Sequence, residues 1–555
     1  MTRRIRMVVQ TLAFLLFLLL LVGTQYHGDD EIGRPVKILL EIDPLHFLST
    51  LLATGAVPGL LWLGAVTLAL AFVLGRSFCG WICPLGTLVQ IASKVPRRPR
   101  PGTVAENRWR PSQKIKFHLL FALLVAALFG LSWSAVFDPL SIFIRSLGLV
   151  ALPALEHAVR PVFEALYRAN PLGIAKVSEP VFEWLQGRLL NFHAPHFHQS
   201  LLIGLVFLVI LGAAFARPRF WCRTLCPLGA LLGCAARAGV FRVQQREDCS
   251  ACRRCTFSCQ GAADPEVPGK WRASECLVCG NCVSVCPQGL RFAFARPAWM
   301  EAHRAAGRIF RRSRKASPAT PARASSGEER AHPGLELSRR HFLLAGFTGL
   351  AAVPLMRLST SEARTHPDLI RPPGSLPERE FLERCLRCGE CMKVCLTNGL
   401  QPTFLEAGLE GMWTPRLVPR IGYCEYSCTL CGQVCPTHAI RRLSPEEKNR
   451  VRIGLAFIDP ARCLPHAFQR ECIVCEEHCP LPRKAIWYSE VAVTTRAGET
   501  RTVKQPHVDP ALCIGCGACE TVCVIQDQPA IRVTCANQDR QPESGVLLKS
   551  APSRE

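Results

Sequence analysis

Cys276-x2-Cys279-x2-Cys282-x3-Cys286-Pro287 is the stretch on which the reading of the chain turns, and Cys249-x2-Cys252-x2-Cys255-x3-Cys259 lies just upstream of it. Three thiolates at i, i+3 and i+6 on one tight loop can each take one iron of a cubane. A fourth cysteine, three residues further on, points away and ligates the neighbouring cubane. This exchange assigns Cys249, Cys252, Cys255 and Cys286 to one [4Fe–4S] cluster, and Cys276, Cys279, Cys282 and Cys259 to a second. Zinc sites draw on separated cysteine pairs, and cysteines this close on one loop meet disulfide geometry badly. Gln260 stands where a proline commonly follows the fourth cysteine, and ligation does not need that proline.

The 555 residues contain 30 cysteines: 24 fall into six quartets, four into two Cys-x3-Cys-Pro pairs, and Cys234 and Cys535 are left over. A chain of this length is no small disulfide scaffold. The net charge of +23 would suit nucleic acid, but the excess clusters beside apolar segments, and no nucleic-acid partner is expected. Neither a Cys-x-x-Cys-His haem site nor a Gly-x-Gly-x-x-Gly fingerprint is present, so electrons here move through iron–sulfur chemistry.

Arg3, Arg4 and Arg6 precede an apolar run from Met7 to Val22 with no clear cleavage site, which reads as an anchor. Three further spans are expected at Pro58–Leu74, Phe117–Phe137 and Leu201–Ala216. Between Lys94 and Lys116 there are eight Lys/Arg and one Glu, whereas Thr24–Leu45 carries two Lys/Arg against five Asp/Glu. The positive-inside rule then places the amino terminus, the 75–116 loop and the segment after Ala216 in the cytoplasm. Residues 138–199 balance at five against five and are read as an outer loop.

The membrane half repeats itself. Asp43-Pro44-Leu45 and Asp138-Pro139-Leu140 mark the outer ends, and Cys79-x3-Cys83-Pro84-Leu85-Gly86 and Cys222-x3-Cys226-Pro227-Leu228-Gly229 mark the inner ends. A pseudo-twofold would bring Cys79, Cys83, Cys222 and Cys226 together, with Pro84 and Pro227 in first helical turns. Four readings stay open: a shared metal or cluster site, a redox-active thiol set, ligands for a transient copper ion, or structural thiols. His46, His118, His193, His196 and His198 lie near span ends as candidate quinone or haem ligands, although an interfacial histidine is commonly a plain anchor.

After a basic, Ser/Pro/Ala-rich linker that reads as disordered, Ser338-Arg339-Arg340-His341-Phe342-Leu343 and an apolar run to Met356 resemble a twin-arginine export signal, with Ser361-Glu362-Ala363 as a cleavage candidate. Four quartets follow: Cys385, Cys388, Cys391, Cys395; Cys424, Cys428, Cys431, Cys435; Cys463, Cys472, Cys475, Cys479; and Cys513, Cys516, Cys519, Cys523. The first and fourth are regular and lack the proline, while the second and third are irregular and keep it. This symmetry predicts nesting. Cys523 would complete the first quartet and Cys395 the fourth, while Cys479 would complete the second and Cys435 the third.

The membrane half, with its Cys79/Cys83 and Cys222/Cys226 motifs and the 249–286 pair, resembles NapH-type quinol dehydrogenase subunits (and MauN). From Ser338 on, the chain is similar to the NapG and MauM ferredoxins, so the whole resembles a NapH–NapG fusion. That resemblance implies electron transfer from the quinol pool to a periplasmic cytochrome or reductase. NosR- and CcoG-type proteins share the membrane motif, and the competing reading is a metal-handling or assembly factor such as a cupric reductase.

The expected architecture is a multi-domain membrane protein, in which a four-helix transmembrane unit carries two α+β ferredoxin-like iron–sulfur domains, with a fifth transmembrane or export helix between them. Its parts are a membrane domain (1–236), a cytoplasmic two-cluster module (237–300), the linker (301–337), the signal or anchor (338–360), a four-cluster periplasmic domain (361–540) and a tail (541–555). The cofactors are six [4Fe–4S] clusters, with a further metal or cluster site open at the Cys-x3-Cys-Pro pairs, and the setting is a bacterial cytoplasmic membrane. Replacing both Arg339 and Arg340 by Lys is expected to trap the carboxy-terminal domain in the cytoplasm. A reporter fused after Pro373 checks this, and unimpaired export of that variant would refute the twin-arginine reading.

Overall fold

The computed structural model describes residues 2–26, 31–33, 36–93, 103–170, 175–188, 190–191, 194–244, 249, 252–266, 271–294, 339–358, 366–494 and 500–540. The expected linker and tail, the Ser361–Ala363 segment and His193 lie outside the described residues.

The membrane unit is built on α1 (Thr2–Gly23), α2 (Pro44–Thr54), α3 (Leu63–Leu74), α4 (Pro84–Ala92), α5 (Ile115–Leu128), α6 (Pro139–Ser146), α7 (Leu152–Ala169), α8 (Ser200–Ala216) and α9 (Pro227–Ala238). By length and composition Arg3–Gly23, Val104–Leu128 and Pro139–Ala169 can cross a membrane, Pro44–Thr54 with Gly59–Leu74 makes a pair bent by 111°, and Ser200–Ala216 is a shorter apolar helix. Residues 139–169 are therefore a continuous helical stretch and not the outer loop expected from their balanced charge. Leu12, Leu16, Leu19, Leu70, Leu205 and Leu208 are exposed along α1, α3 and α8. Apolar faces of this kind suit lipid rather than water.

Sequence repetition becomes structural repetition. Asp43 and Asp138 are the N-caps of α2 and α6, each carboxylate accepting from two backbone N–H groups, and proline follows at the first helical position. Cys83 and Cys226 hold the same place before α4 and α9, each sulfur accepting from a glycine N–H. Four helices thus start inside the unit, and every start is side-chain capped.

At one end of the unit sits the small module, closed by antiparallel β1 (Phe241–Gln244) and β2 (Arg291–Phe294). It is pressed onto the cysteine-pair end of the bundle. A Cβ on Gly80 would lie 2.2 Å from the Leu277 carbonyl oxygen, Trp81 Nε1 donates to Val278 O (3.0 Å), and Lys116 and Arg76 both pair with buried Glu275. At the other end sits the large domain. Arg387 donates to the Ser132 and Glu410 carbonyls, Lys393 to those of Leu21 and Thr24, and Asn398 and Gln401 to that of His196. Between the two ends, α10 (Arg339–Leu358) lies along α5, with His341 against His118, Phe342 against Phe121 (ring centroids 4.1 Å) and Arg357 donating to Phe129 O. The two helices run parallel.

The large domain consists of two consecutive ferredoxin folds. Around the first, isolated bridges join Ile370 to Leu417 and Ser375 to Ile440, and hairpin β3 (Leu400–Pro402)–β4 (Pro415–Leu417) is inserted between its quartets. Around the second, β5 (Leu455–Ile458) pairs with β8 (Ile531–Thr534), and the long hairpin β6 (Ile486–Thr494)–β7 (Thr500–Val508), mostly half-buried or exposed, is inserted between its quartets. Arg371 and Arg540 clamp Glu378 (both N···O 2.6 Å), tying the end of the second fold to the start of the first.

Burial works to raise the Glu378 pKa, but the guanidiniums of Arg371 and Arg540 outweigh it and bring the group down to about 2. A carboxylate depressed in the folded state adds stability that is full above its unfolded pKa and is lost as pH falls from about 4.3 toward 2. Glu378→Gln should therefore destabilise the large domain by about 3 kcal/mol at pH 7 and by little at pH 2. Denaturant unfolding of the full-length protein at both pH values, read from loss of large-domain structure, checks this.

Candidate iron–sulfur centres

In the small module, Cys276, Cys279, Cys282 and Cys259 lie within electrostatic reach of one another, as the sequence assignment requires. Cys255 and Cys286 share one apolar cluster, while Cys249 and Cys252 are exposed, so that quartet is open to solvent on one side.

In the large domain each quartet lines its own cavity. Cys385, Cys388, Cys391 and Cys435 surround one, and Cys424, Cys428, Cys431 and Cys395 another. Cys463, Cys472, Cys475 and Cys523 line a third, and Cys513, Cys516, Cys519 and Cys479 a fourth. The expected nesting is thus overturned. The first quartet exchanges its last cysteine with the second, and the third with the fourth. The reason is strand pairing: Ser375–Ile440 and β5–β8 each bracket one consecutive pair of quartets, a constraint that cysteine spacing does not carry.

The donor sets fit cubanes. A tetrahedral zinc with 2.3 Å Zn–S bonds holds its sulfurs about 3.8 Å apart. Among the described residues, the sole group of three or more His, Cys, Asp or Glu ligand atoms all within 4.8 Å contains no cysteine. Backbone N–H groups point at the sulfurs: Ala263 at Cys259 (3.4 Å), Ile440 at Cys435 (3.4 Å) and Ala456 at Cys513 (3.5 Å). Such bonds stabilise sulfur that carries negative charge and tune cluster potential. Burial pushes the Cys428, Cys475 and Cys516 thiols up to about 12, so cluster insertion has to displace their protons.

The cavities form a line. Cys391 neighbours Cys431, Cys516 neighbours Cys424, and Cys519 neighbours Cys475, and the Cys424 N–H donates to Cys516 O (2.8 Å). The order is therefore the 385, 424, 513 and 463 quartets. The 385 quartet touches the membrane unit: Leu386 and Cys388 belong to the same packed core as Cys79, Cys83, Cys222, Cys226 and Cys279.

Residues 56–101 and 197–244 match a family model described as a 4Fe-4S binding domain, and residues 505–526 match a second model of that description. Ferredoxin-type protein NapG of Escherichia coli (strain K12) is 39% identical over 189 residues, 33% of this chain and 79% of that protein. The chain belongs to the NapG/MauM family of ferredoxin-type proteins. Methylamine utilization ferredoxin-type protein MauM of Methylorubrum extorquens is 35% identical over 205 residues, covering 35% of this chain and 88% of that protein. The putative electron transport protein YccM of Escherichia coli (strain K12) is 26% identical over 279 residues, 48% of this chain and 66% of that protein. No solved structure matches the chain. This NapG/MauM-family member is an iron–sulfur electron-transfer protein with several apolar helices suited to a membrane.

Two features of the membrane unit go beyond the sequence reading, which named His46 as a candidate ligand without its two carboxylate neighbours and did not name the second feature. Asp43, His46 and Asp138 are fully buried, with one ligand atom from each lying within 4.8 Å of the others. His46 Nε2 lies 3.3 Å from Asp138 Oδ2 and 3.0 Å from Ser141 Oγ. Of the five candidate histidines, His46 alone joins such a group among the described residues. His118 packs on His341, and His196 and His198 meet Asn398 and Gln401 of the large domain. The second feature is a pair of buried arginines, Arg76 and Arg219, each three residues before the first cysteine of its pair. That shared offset was the available signal.

The consecutive pairing makes a spectroscopic prediction. Cys385→Ala and Cys435→Ala are expected to abolish the same EPR signal, and Cys523→Ala a different one. If Cys385→Ala and Cys523→Ala remove one common signal, the nested order is restored.

Proposed function

We propose that the protein oxidises quinol at the outer half of the membrane unit and sends the electrons through four clusters of the large domain to a periplasmic acceptor. The observation that carries this reading is the position of Asp43, His46 and Asp138 relative to the 385 quartet. Asp138 opens α6 and Arg145 stands near its end, about 10 Å further along the axis at 1.5 Å per residue. Arg145 donates to Arg387 O (3.0 Å) and lies over the Trp413 ring at 4.2 Å, both beside the 385 cavity.

Quinol oxidation releases two electrons and two protons at one place. Cys385, Cys388, Cys391 and Cys435 would hold the cluster that supplies one-electron acceptance, and the two carboxyls with the imidazole take the protons. His46 Nδ1 is buried with no hydrogen-bond partner among the described residues, and Asp43 and Asp138 meet carboxyl to carboxyl, a pair that can hold a shared proton. A metal ion fits less well. One carboxylate oxygen of each Asp already caps a helix start, and two positive helix ends face the site.

The remaining parts of the reading are the six ferredoxin clusters, the cytoplasmic small module and the periplasmic large domain. Charge asymmetry supports this orientation, as does α10, whose Arg339–Arg340 end lies at the small-module side, beside the start of α5. The periplasmic cytochrome or reductase would meet the far end of the line, at the 463 quartet. A metal-handling role has no use for four cavities in series.

Asp138→Asn and His46→Gln should each slow quinol-driven reduction of the clusters at least 10-fold, the lower range for a lost proton acceptor. Iron content and reduction by dithionite should stay unchanged. Rapid mixing with quinol under anaerobic conditions reads the rate, and wild-type rates in both variants would overturn the assignment.

A further inference from the structure

The membrane unit separates the two ferredoxin parts, yet one packed core runs from Cys279 of the small module through Cys79, Cys83, Cys222 and Cys226 to Cys388 of the large domain. The four interior cysteines are buried and in mutual electrostatic contact. Cys83 and Cys226 accept N–H···S bonds from Gly86 (3.4 Å) and Gly229 (3.3 Å), the geometry seen at the ferredoxin cysteines Cys259, Cys435 and Cys513. Among the described residues no three of their sulfurs lie within 4.8 Å of one another, a spacing looser than the roughly 3.8 Å of tetrahedral zinc and compatible with a cubane.

The arginines decide the charge. Arg76 reaches from the first repeat across to the second, where its Nη2 would lie 2.6 Å from a Cβ on Gly229. Arg219 reaches back from the second repeat to Gly86 (3.6 Å) and donates to Cys79 O (3.3 Å). Both side chains are 1% exposed, and the Nε of each has no hydrogen-bond partner among the described residues. Arg223 and Lys116 are buried close by, and Glu275 is the carboxylate that meets Arg76 and Lys116. Arg76 has to share the single carboxylate of Glu275 with Lys116, and the Arg219 guanidinium meets the neutral Gln90 Oε1 (2.6 Å) and the Cys79 carbonyl, so four neutral thiols would leave the crossed guanidiniums under-compensated. Four thiolates around an iron–sulfur core supply a net negative charge in the required place.

We propose that Cys79, Cys83, Cys222 and Cys226 hold a seventh [4Fe–4S] cluster, caged by Arg76 and Arg219, which passes single electrons between the Cys276 cluster on one side of the membrane and the Cys385 cluster on the other. This inference goes beyond the quinol reading and does not depend on it. Each step is a one-electron exchange: the Cys276 cluster is oxidised as the interior cluster is reduced, and the interior cluster is then reoxidised by the Cys385 cluster. No proton or ligand is transferred.

The test uses the full-length protein. Wild type should contain about 28 iron and 28 acid-labile sulfide per chain, and the Cys79→Ser/Cys222→Ser variant about 24 of each, with one EPR signal lost and the others in place. In sealed vesicles, a membrane-impermeant reductant on the small-module side should reduce the large-domain clusters of wild type and fail to do so in that variant. Should the cysteine variant misfold, Arg76→Gln/Arg219→Gln offers a second route. It should keep about 28 iron and move a single signal to more negative potential. About 24 iron in wild type, one zinc per chain, or transmembrane reduction that survives loss of Cys79 and Cys222 would each overturn the proposal. Quinol-driven reduction of the Cys385 cluster, measured in the same variant, reports separately on the quinol site.

Discussion

Four helices begin inside an apolar bundle, and the whole membrane unit depends on how those beginnings are satisfied. A helix start leaves N–H groups without intrahelical partners, and inside a membrane no water is present to take them. Here the caps are Asp43, Cys83, Asp138 and Cys226, each followed by proline. The atoms that satisfy the backbone are therefore the atoms with chemistry to offer, two carboxylates and two sulfurs. Each cap contributes about 1 kcal/mol of helix stability in ordinary settings. Its larger effect here is to bring titratable and metal-binding groups into the interior, where they would otherwise be excluded.

Much of this was legible in the chain itself. The cysteine quartets, the paired Cys-x3-Cys-Pro motifs and the repeated Asp-Pro-Leu tripeptides announce their chemistry through spacing, because a cubane loop and a capped helix start are both local structures. What spacing cannot carry is the partner of a fourth cysteine. Cys435 completes the 385 quartet because Ser375 bridges to Ile440, and Cys523 completes the 463 quartet because β5 pairs with β8. Those are contacts between residues many positions apart. The helix from Pro139 to Ala169 was hidden for another reason: its charges are spread along its length, so a balanced count reads as a loop.

The buried cations were the least legible part. Arg219 sits beside Arg217 and Arg223, and Arg76 stands at the end of an apolar run, so in sequence both read as orientation signals. Their burial is visible only once the second repeat folds over the first, since each guanidinium lies against the other repeat's glycine. Within the NapG/MauM family setting, the large domain is similarly bound to its support by polar contacts, with Arg387, Lys393, Asn398 and Gln401 all reaching for main-chain oxygens. Backbone carbonyls accept such contacts whatever side chain they belong to, so no complementary motif marks the receiving surface.

Lys393 gives one of these contacts a temporal meaning. Its ammonium group holds the Leu21 and Thr24 carbonyls at the end of the first helix, although more than 360 residues of chain separate donor from acceptor. That helix emerges early in synthesis, and its last turn waits on a domain made much later. Without the distant domain, the Leu21 and Thr24 carbonyls at that end of the bundle lose the ammonium group that meets them. A helix made hundreds of residues earlier thus has its last turn completed by the large domain, which ties the order of synthesis to the order in which the contacts can form.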